Sequence, residues 1–120
     1  MPNAPFDITD RVAIVTGGGT GIGRATALIL ARFGADVVLA SRKLPNLERV
    51  ADEVRALGRR ALPVRTDVHD ETEIRAMVDR TVDEFGKIDI LVNNAGGSYR
   101  APAEEVTTEL WDRMVSLNLR

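Results

Sequence analysis

The densest chemical signal in the chain is Thr16-Gly17-Gly18-Gly19-Thr20-Gly21-Ile22-Gly23. Glycines let a backbone turn sharply and come close to a ligand. The apolar run Val12 to Val15 precedes this stretch and an alanine-rich apolar segment, Ile22 to Phe33, follows it, so the glycines join a strand to a helix start. The free N–H groups and positive end of such a helix favour a phosphate, and a pyrophosphate suits that chemistry. Glycines alone fit a ligand-free connection about as well; their place between strand and helix favours a nucleotide. Spacing narrows the choice. Gly18 to Gly23 followed by Arg24-Ala25 misses the ATP-binding loop, which needs Lys and then Ser or Thr, and Ala25 cannot ligate magnesium. The usual dinucleotide pattern Gly-x-Gly-x-x-Gly is also absent, because Ile22 and Arg24 interrupt it. What stands there is Thr-Gly-x-x-x-Gly-x-Gly.

Two further places carry candidate chemistry. Twenty positions after Gly21 the chain reads Ser41-Arg42-Lys43, where an acid would bind a ribose 2′-hydroxyl and repel a 2′-phosphate. Ser41 brings no such charge, and the Arg42 guanidinium can make paired bonds to phosphate with Lys43 assisting, which points to NADP. The plainer alternative is a solvated basic turn. Asn118 lies four positions after Met114 and seven after Trp111, on the apolar face of a final helix, where an amide must find hydrogen bonds or destabilise the fold. A satisfied core asparagine and a catalytic one both fit. His69, the only histidine, is assigned no chemistry, and no metal site is expected.

The elements that must position these residues repeat a cycle. Val37 to Ala40 forms a second buried strand, followed by a helix carrying Leu47, Val50, Ala51, Val54 and Leu57 up to Gly58. Ala61 to Arg65 forms a third strand, which Pro63 assigns to a sheet edge. Asp70 and Glu73 resemble a capping box ahead of the stripe Ile74, Met77, Val78, Val82 and Phe85, which Gly86 ends. Ile88 to Val92 forms the fourth strand, and Thr107 or Thr108 caps the last helix. The alternation predicts an α/β fold, a Rossmann-type doubly wound parallel sheet built from four βα units. Residues 1–10 read as a loose N-terminal arm and residues 11–120 as the dinucleotide-binding domain. With no strand left to cover the outer edge of the fourth, the chain is expected to be the N-terminal part of a larger fold.

The glycine pattern, Asn93-Asn94-Ala95-Gly96 after the fourth strand and Asp67-Val68 after the third together resemble the short-chain dehydrogenase/reductase family, over nearly the whole chain after residue 10. In pattern the chain is nearest the 3-oxoacyl-carrier-protein reductase-like members. The resemblance implies strand order 3-2-1-4-5-6-7, which agrees with the edge position read from Pro63. It implies that Gly17, Gly19, Thr20, Gly21, Ile22 and Gly23 hold the diphosphate, and that Asp67 and Val68 meet the adenine, although loop capping is a frequent role for Asp. It further implies that Asn94, Ala95 and Gly96 run beneath the cofactor ribose, while Asn93 and Thr16 tie strand ends together. Ser116-Leu117-Asn118-Leu119 resembles the segment with the Asn of the catalytic tetrad. The tetrad's Ser and its Tyr four residues before a Lys have no counterpart: Tyr99 precedes Asn118 and is followed at that distance by Ala103, and Ser98 falls too early.

The implied function is hydride transfer between NADP and a carbonyl or alcohol substrate, acyl thioesters included. Gly96-Gly97-Ser98-Tyr99 and Pro102-Ala103-Glu104-Glu105 bear a fainter similarity to the 2-enoyl- and 2,4-dienoyl-CoA reductase branch. A nucleotide-binding module without turnover is the reading if residue 120 ends the protein. The bulk properties agree with a soluble binder of small molecules. At 120 residues, with 44% hydrophobic and 28% charged residues, the chain suits one globular domain or a piece of one. Sixteen basic against eighteen acidic residues give a net charge of −2, too balanced for a nucleic-acid binder. Without cysteine there is no disulfide framework or thiolate nucleophile. Neither a leader pattern nor a run of the ~20 apolar residues that span a membrane is present, so a cytoplasmic location is expected. A homodimer or homotetramer is implied by the resemblance.

Overall fold

The computed structural model describes residues 7–94. In chain order the elements are β1 (Val12–Thr16), α1 (Gly21–Arg32), β2 (Asp36–Ser41), α2 (Leu44–Ala56), β3 (Ala61–Arg65), α3 (Glu71–Phe85) and β4 (Ile90–Asn93). The strands form one parallel sheet in the order β3-β2-β1-β4. Ile14 stands between Val38 and Leu91 in the register. Pro63 pairs with Leu39 on an edge strand, as a residue without a ladder donor requires.

Alternation along the strands sends side chains to two cores. Val12, Ile14, Val38, Ala40 and Val64 pack with Ile74, Met77 and Val78 of α3. Val15, Val37 and Leu39 pack with Ala27 and Ala31 of α1 and with Leu47, Val50, Ala51 and Val54 of α2. Strands covered on both faces read as continuous apolar runs, and all five residues of β1 are buried. Each fully buried Val or Leu contributes about 1.5–3 kcal/mol. The α1 and α2 crossovers build outward on one side of β1, whereas α3 carries the chain across the other face to β4. The winding reverses between β1 and β4, and in open sheets of this kind ligands bind beyond the strand C-termini at such a reversal.

Two local expectations need revision, and the start of α2, which the sequence left open, is now fixed. Strand β4 begins at Ile90 rather than Ile88: Asp89 closes on Val12 from both sides, its N–H donating to the Val12 carbonyl at 2.9 Å while its carboxylate, in place of a backbone carbonyl, accepts the Val12 N–H at 2.8 Å. Helix α2 begins at Leu44, before the first residue of its apolar stripe, with Pro45 in its opening turn. Asp70 does cap α3, accepting the N–H groups of Thr72 and Glu73, but Glu73 does not close the reciprocal half of a capping box. Of the arm expected over residues 1–10, residues 7–10 are described. The Ile8 N–H donates to the Phe33 carbonyl and the Asp10 N–H to that of Gly34, which ties this end to the close of α1.

Candidate functional site

The turn after β1 is shaped by two glycines with different tasks. A Cβ on Gly23 would lie 1.9 Å from the Gly17 carbonyl oxygen, so α1 packs on the turn at a distance no other residue allows. Gly21 takes φ +57°, and a Cβ there would meet nothing within 4 Å. The backbone is thus open to a ligand at Gly21 and closed at Gly23. Thr20 is the N-cap residue of α1 but makes no side-chain cap bond, and the first turn holds no acidic residue. α3 differs on both counts, with Asp70 capping it and Glu71 and Glu73 in its first turn. The start of α1 therefore keeps its positive end and leaves its N–H groups without a side-chain acceptor, which favours an anion. Beside it Ile22 is 74% exposed, an apolar surface at the mouth of the turn. Gly19 packs against α2, where an added Cβ would stand 2.9 Å from the Asn46 Cβ. Sequence reading missed Asn46, and no short-range pattern marks it.

Ser41 ends β2, and Arg42 and Lys43 follow it, both exposed. Neither basic side chain enters an ion pair within the described residues. Arg24, just past the glycine turn, is otherwise engaged: its Nε donates to Glu53 of α2 at 2.9 Å and a second nitrogen pairs with the other oxygen. This hydrogen bonding holds the Glu53 carboxyl below its ordinary value and the Arg24 guanidinium above its own. The cations left for an anionic ligand near the end of β2 are thus Arg42 and Lys43. The Ser41 hydroxyl accepts the Lys43 N–H at 3.4 Å, a weak closing of that turn.

Asp67 and Val68 follow β3, both half-buried. One Asp67 oxygen accepts the His69 N–H at 2.9 Å, which is the capping role open to it from sequence. The Asp67 N–H donates to the Glu73 carboxylate at 3.0 Å, and that carboxylate also takes the Arg65 guanidinium at 3.1 Å. The Thr66 N–H donates to the Ser41 carbonyl at 2.7 Å, joining this loop to the end of β2. Glu73 is a second residue of the site that sequence reading placed elsewhere, as half of a capping box.

At the end of β4 the Thr16 hydroxyl lies 3.1 Å from the Asn93 side-chain oxygen and accepts the Asn94 N–H at 2.9 Å. Thr16 and Asn93 thus tie β1 to β4. Asn94 lies against the turn itself: its Nδ2 would be 3.0 Å from a Cβ on Gly23 and 3.4 Å from one on Gly17. The parallel sheet collects Gly17 to Gly23, Ser41 to Lys43, Asp67, Val68 and Asn94 at one end. Ala95, Gly96 and Asn118 lie outside the described residues.

Residues 11–120 match the sequence profile of the short chain dehydrogenase family. The chain is similar to the peroxisomal 2,4-dienoyl-CoA reductase of Danio rerio, with 39% identity over 116 residues, 96% of this chain and 39% of that protein. Among solved structures it is similar to a 3-ketoacyl-ACP reductase from Sinorhizobium meliloti 1021, at 34% identity and a TM-score of 0.81, covering 87% of this chain and 48% of that one. It is also similar to a short chain dehydrogenase/reductase from Burkholderia phymatum in complex with NAD, at 29% identity and a TM-score of 0.83, covering 90% of this chain and 45% of that one. The chain spans less than half the length of each of these three proteins. On the profile match, with the glycine turn and the β3-β2-β1-β4 sheet that carries it, this chain belongs to the short chain dehydrogenase family.

Proposed function

We propose that this chain is the dinucleotide-binding part of an NADP-dependent oxidoreductase that transfers a hydride between nicotinamide and a carbonyl or alcohol carbon. The observation that carries the reading is the start of α1, open at Gly21, without a side-chain cap and without an acid in its first turn. A diphosphate suits it. The backbone from Gly17 to Gly23 would hold that group, Asp67 and Val68 the adenine, and Arg42 with Lys43 a ribose 2′-phosphate. The chemistry supplied by the bound cofactor is hydride transfer. The residues of this chain bind and orient; Asn94 braces the turn on which binding depends. In this reading Asn118 is the tetrad asparagine, with Ala95 and Gly96 beside the cofactor ribose.

The choice of NADP over NAD rests on Arg42 and Lys43, two cations without an ion-pair partner among the described residues, where an NAD-binding site commonly has an acid. Arg42→Asp is expected to lower the ratio of NADP to NAD affinity at least about tenfold, the size of a lost charge-assisted phosphate contact. Titration calorimetry on the full-length protein measures both affinities. An unchanged ratio removes Arg42 from cofactor selection, and absence of heat with either dinucleotide overturns the whole reading.

For the substrate, 3-oxoacyl thioesters and simple ketones come first, in line with the similarity to a 3-ketoacyl-ACP reductase. A second reading, reduction of a 2,4-dienoyl-CoA, is favoured by the 39% identity to the Danio rerio enzyme. NADPH oxidation assayed with each substrate class separates the two. A cytoplasmic homodimer or homotetramer belongs to the same proposal, by family habit.

A further inference from the structure

We infer that Glu73 is a positioning residue for the adenine end of the site, acting through the backbone of Asp67; the inference rests on the dinucleotide reading above. A carboxylate three residues into a helix usually turns back to the N-cap N–H. Here the Asp70 N–H donates instead to the Asp67 carbonyl at 3.0 Å, which leaves Glu73 free to reach past the cap. Its Oε1 takes the Asp67 N–H at 3.0 Å and the Arg65 guanidinium at 3.1 Å. Asp67 is thereby held at its N–H by Glu73, at its carbonyl by Asp70, and at one carboxylate oxygen by the His69 N–H. Its second carboxylate oxygen has no partner within the described residues. Arg65 stands opposite Ser41 in the β2–β3 register, and the Thr66 N–H bonds the Ser41 carbonyl. Glu73 therefore fixes Asp67 to the same strand ends that present Arg42. A carboxylate held in this way can discriminate an exocyclic amine from a carbonyl oxygen, because the free oxygen accepts from the first and repels the second.

Two substitutions separate reach from charge. Glu73→Asp keeps the negative charge in the first turn of α3 but shortens the side chain so that it no longer reaches Asp67. Glu73→Gln drops the charge and keeps an acceptor at the right length. The probes are NADPH and its hypoxanthine analogue, which carries oxygen in place of the adenine amine, titrated into the full-length protein. The parent is expected to prefer the adenine form about tenfold, the size of one well-placed hydrogen bond against an unpaired group. Glu73→Asp is expected to lose most of that preference, to within about twofold, while Glu73→Gln keeps it. A residue serving only helix stability leaves the preference at its parent value in both variants and lowers the melting temperature chiefly in Glu73→Gln, which loses the charge. Glu73→Ala is a second reach-less variant should Glu73→Asp fail to fold, and thermal melting identifies folded material. Full preference retained in Glu73→Asp overturns the positioning role. No preference in the parent overturns the adenine contact of Asp67 and this inference with it. Failure of the parent to bind either dinucleotide overturns the function proposed above.

Discussion

At Gly23 there is no room for a side chain: the atoms a Cβ would strike are the Gly17 carbonyl and the Asn94 amide. The first obstacle is backbone, so no change of rotamer relieves it and α1 must move off the turn. Gly21 differs. Alanine there displaces nothing in the protein and suffers only its left-handed φ, at a cost of about 1–2 kcal/mol. Gly23→Ala is therefore expected to destabilise more than Gly21→Ala, by more than about 2 kcal/mol in total. Both variants should lose dinucleotide affinity, one by displacing the turn and the other by filling the space over it. Thermal melting paired with cofactor titration separates the two effects; equal melting points for Gly23→Ala and the parent would contradict the close packing. The glycine spacing was legible in the sequence, but the division of tasks was not. It depends on the Gly17 carbonyl and on Asn94, which only the β1–β4 pairing brings beside the turn.

Each described helix and strand could be anticipated from apolar periodicity, and Pro63 placed β3 at the edge because a missing donor has few places in a sheet. The start of β4 could not be anticipated. It is set by the Asp89 carboxylate on the Val12 N–H, a contact between residues far apart in the chain that no local pattern records. The opening of α3 was half legible for the same reason: the Asp70 cap is local and followed the rule, whereas Glu73 answered to a loop and a strand end. These two residues should respond differently to substitution. Asp70→Ala removes the acceptor for Thr72 and Glu73 and is expected to cost about 1 kcal/mol of stability, read from urea denaturation. The bond from the Asp70 N–H to Asp67 survives, since it is made by the backbone. Cofactor affinity should thus fall less in Asp70→Ala than in Glu73→Asp, and the reverse order would show that the cap, not Glu73, sets the loop.

The two ends of the sheet hold their charges in opposite ways. The strand C-termini present Arg42 and Lys43 without an ion-pair partner among the described residues, as a site for an anion requires. The other end neutralises itself. The Asp36 side chain, 3% exposed at the start of β2, accepts the Arg60 N–H at 3.0 Å and the Arg60 guanidinium at 2.9 Å, with Arg59 at 3.2 Å. Arg59 also reaches Asp10, and the Arg60 guanidinium lies 4.7 Å from the centre of the Phe85 ring. Burial alone would raise the Asp36 pKa, but the hydrogen bonds from the Arg60 backbone and guanidinium and the adjacent positive charges outweigh it and hold the carboxyl below its ordinary value. A carboxylate whose pKa is depressed on folding contributes stability above its unfolded value of about 3.9 and loses it as pH falls through the folded value. Asp36→Asn is therefore expected to cost about 2 kcal/mol at pH 7, less than a fully buried pair because Arg60 is largely exposed. The gap between parent and variant should then narrow as pH falls below about 4, where the unfolded chain's carboxyl takes up its proton, and close only once pH passes the lower folded value. Chemical denaturation of both proteins at pH 7 and pH 3 measures this. A gap of equal size at the two pH values would mean that Asp36 acts there as a neutral hydrogen-bond acceptor and not as a charge. The glycine turn at the far end of β1 should be indifferent to the change, since no ion pair among the described residues connects the two ends.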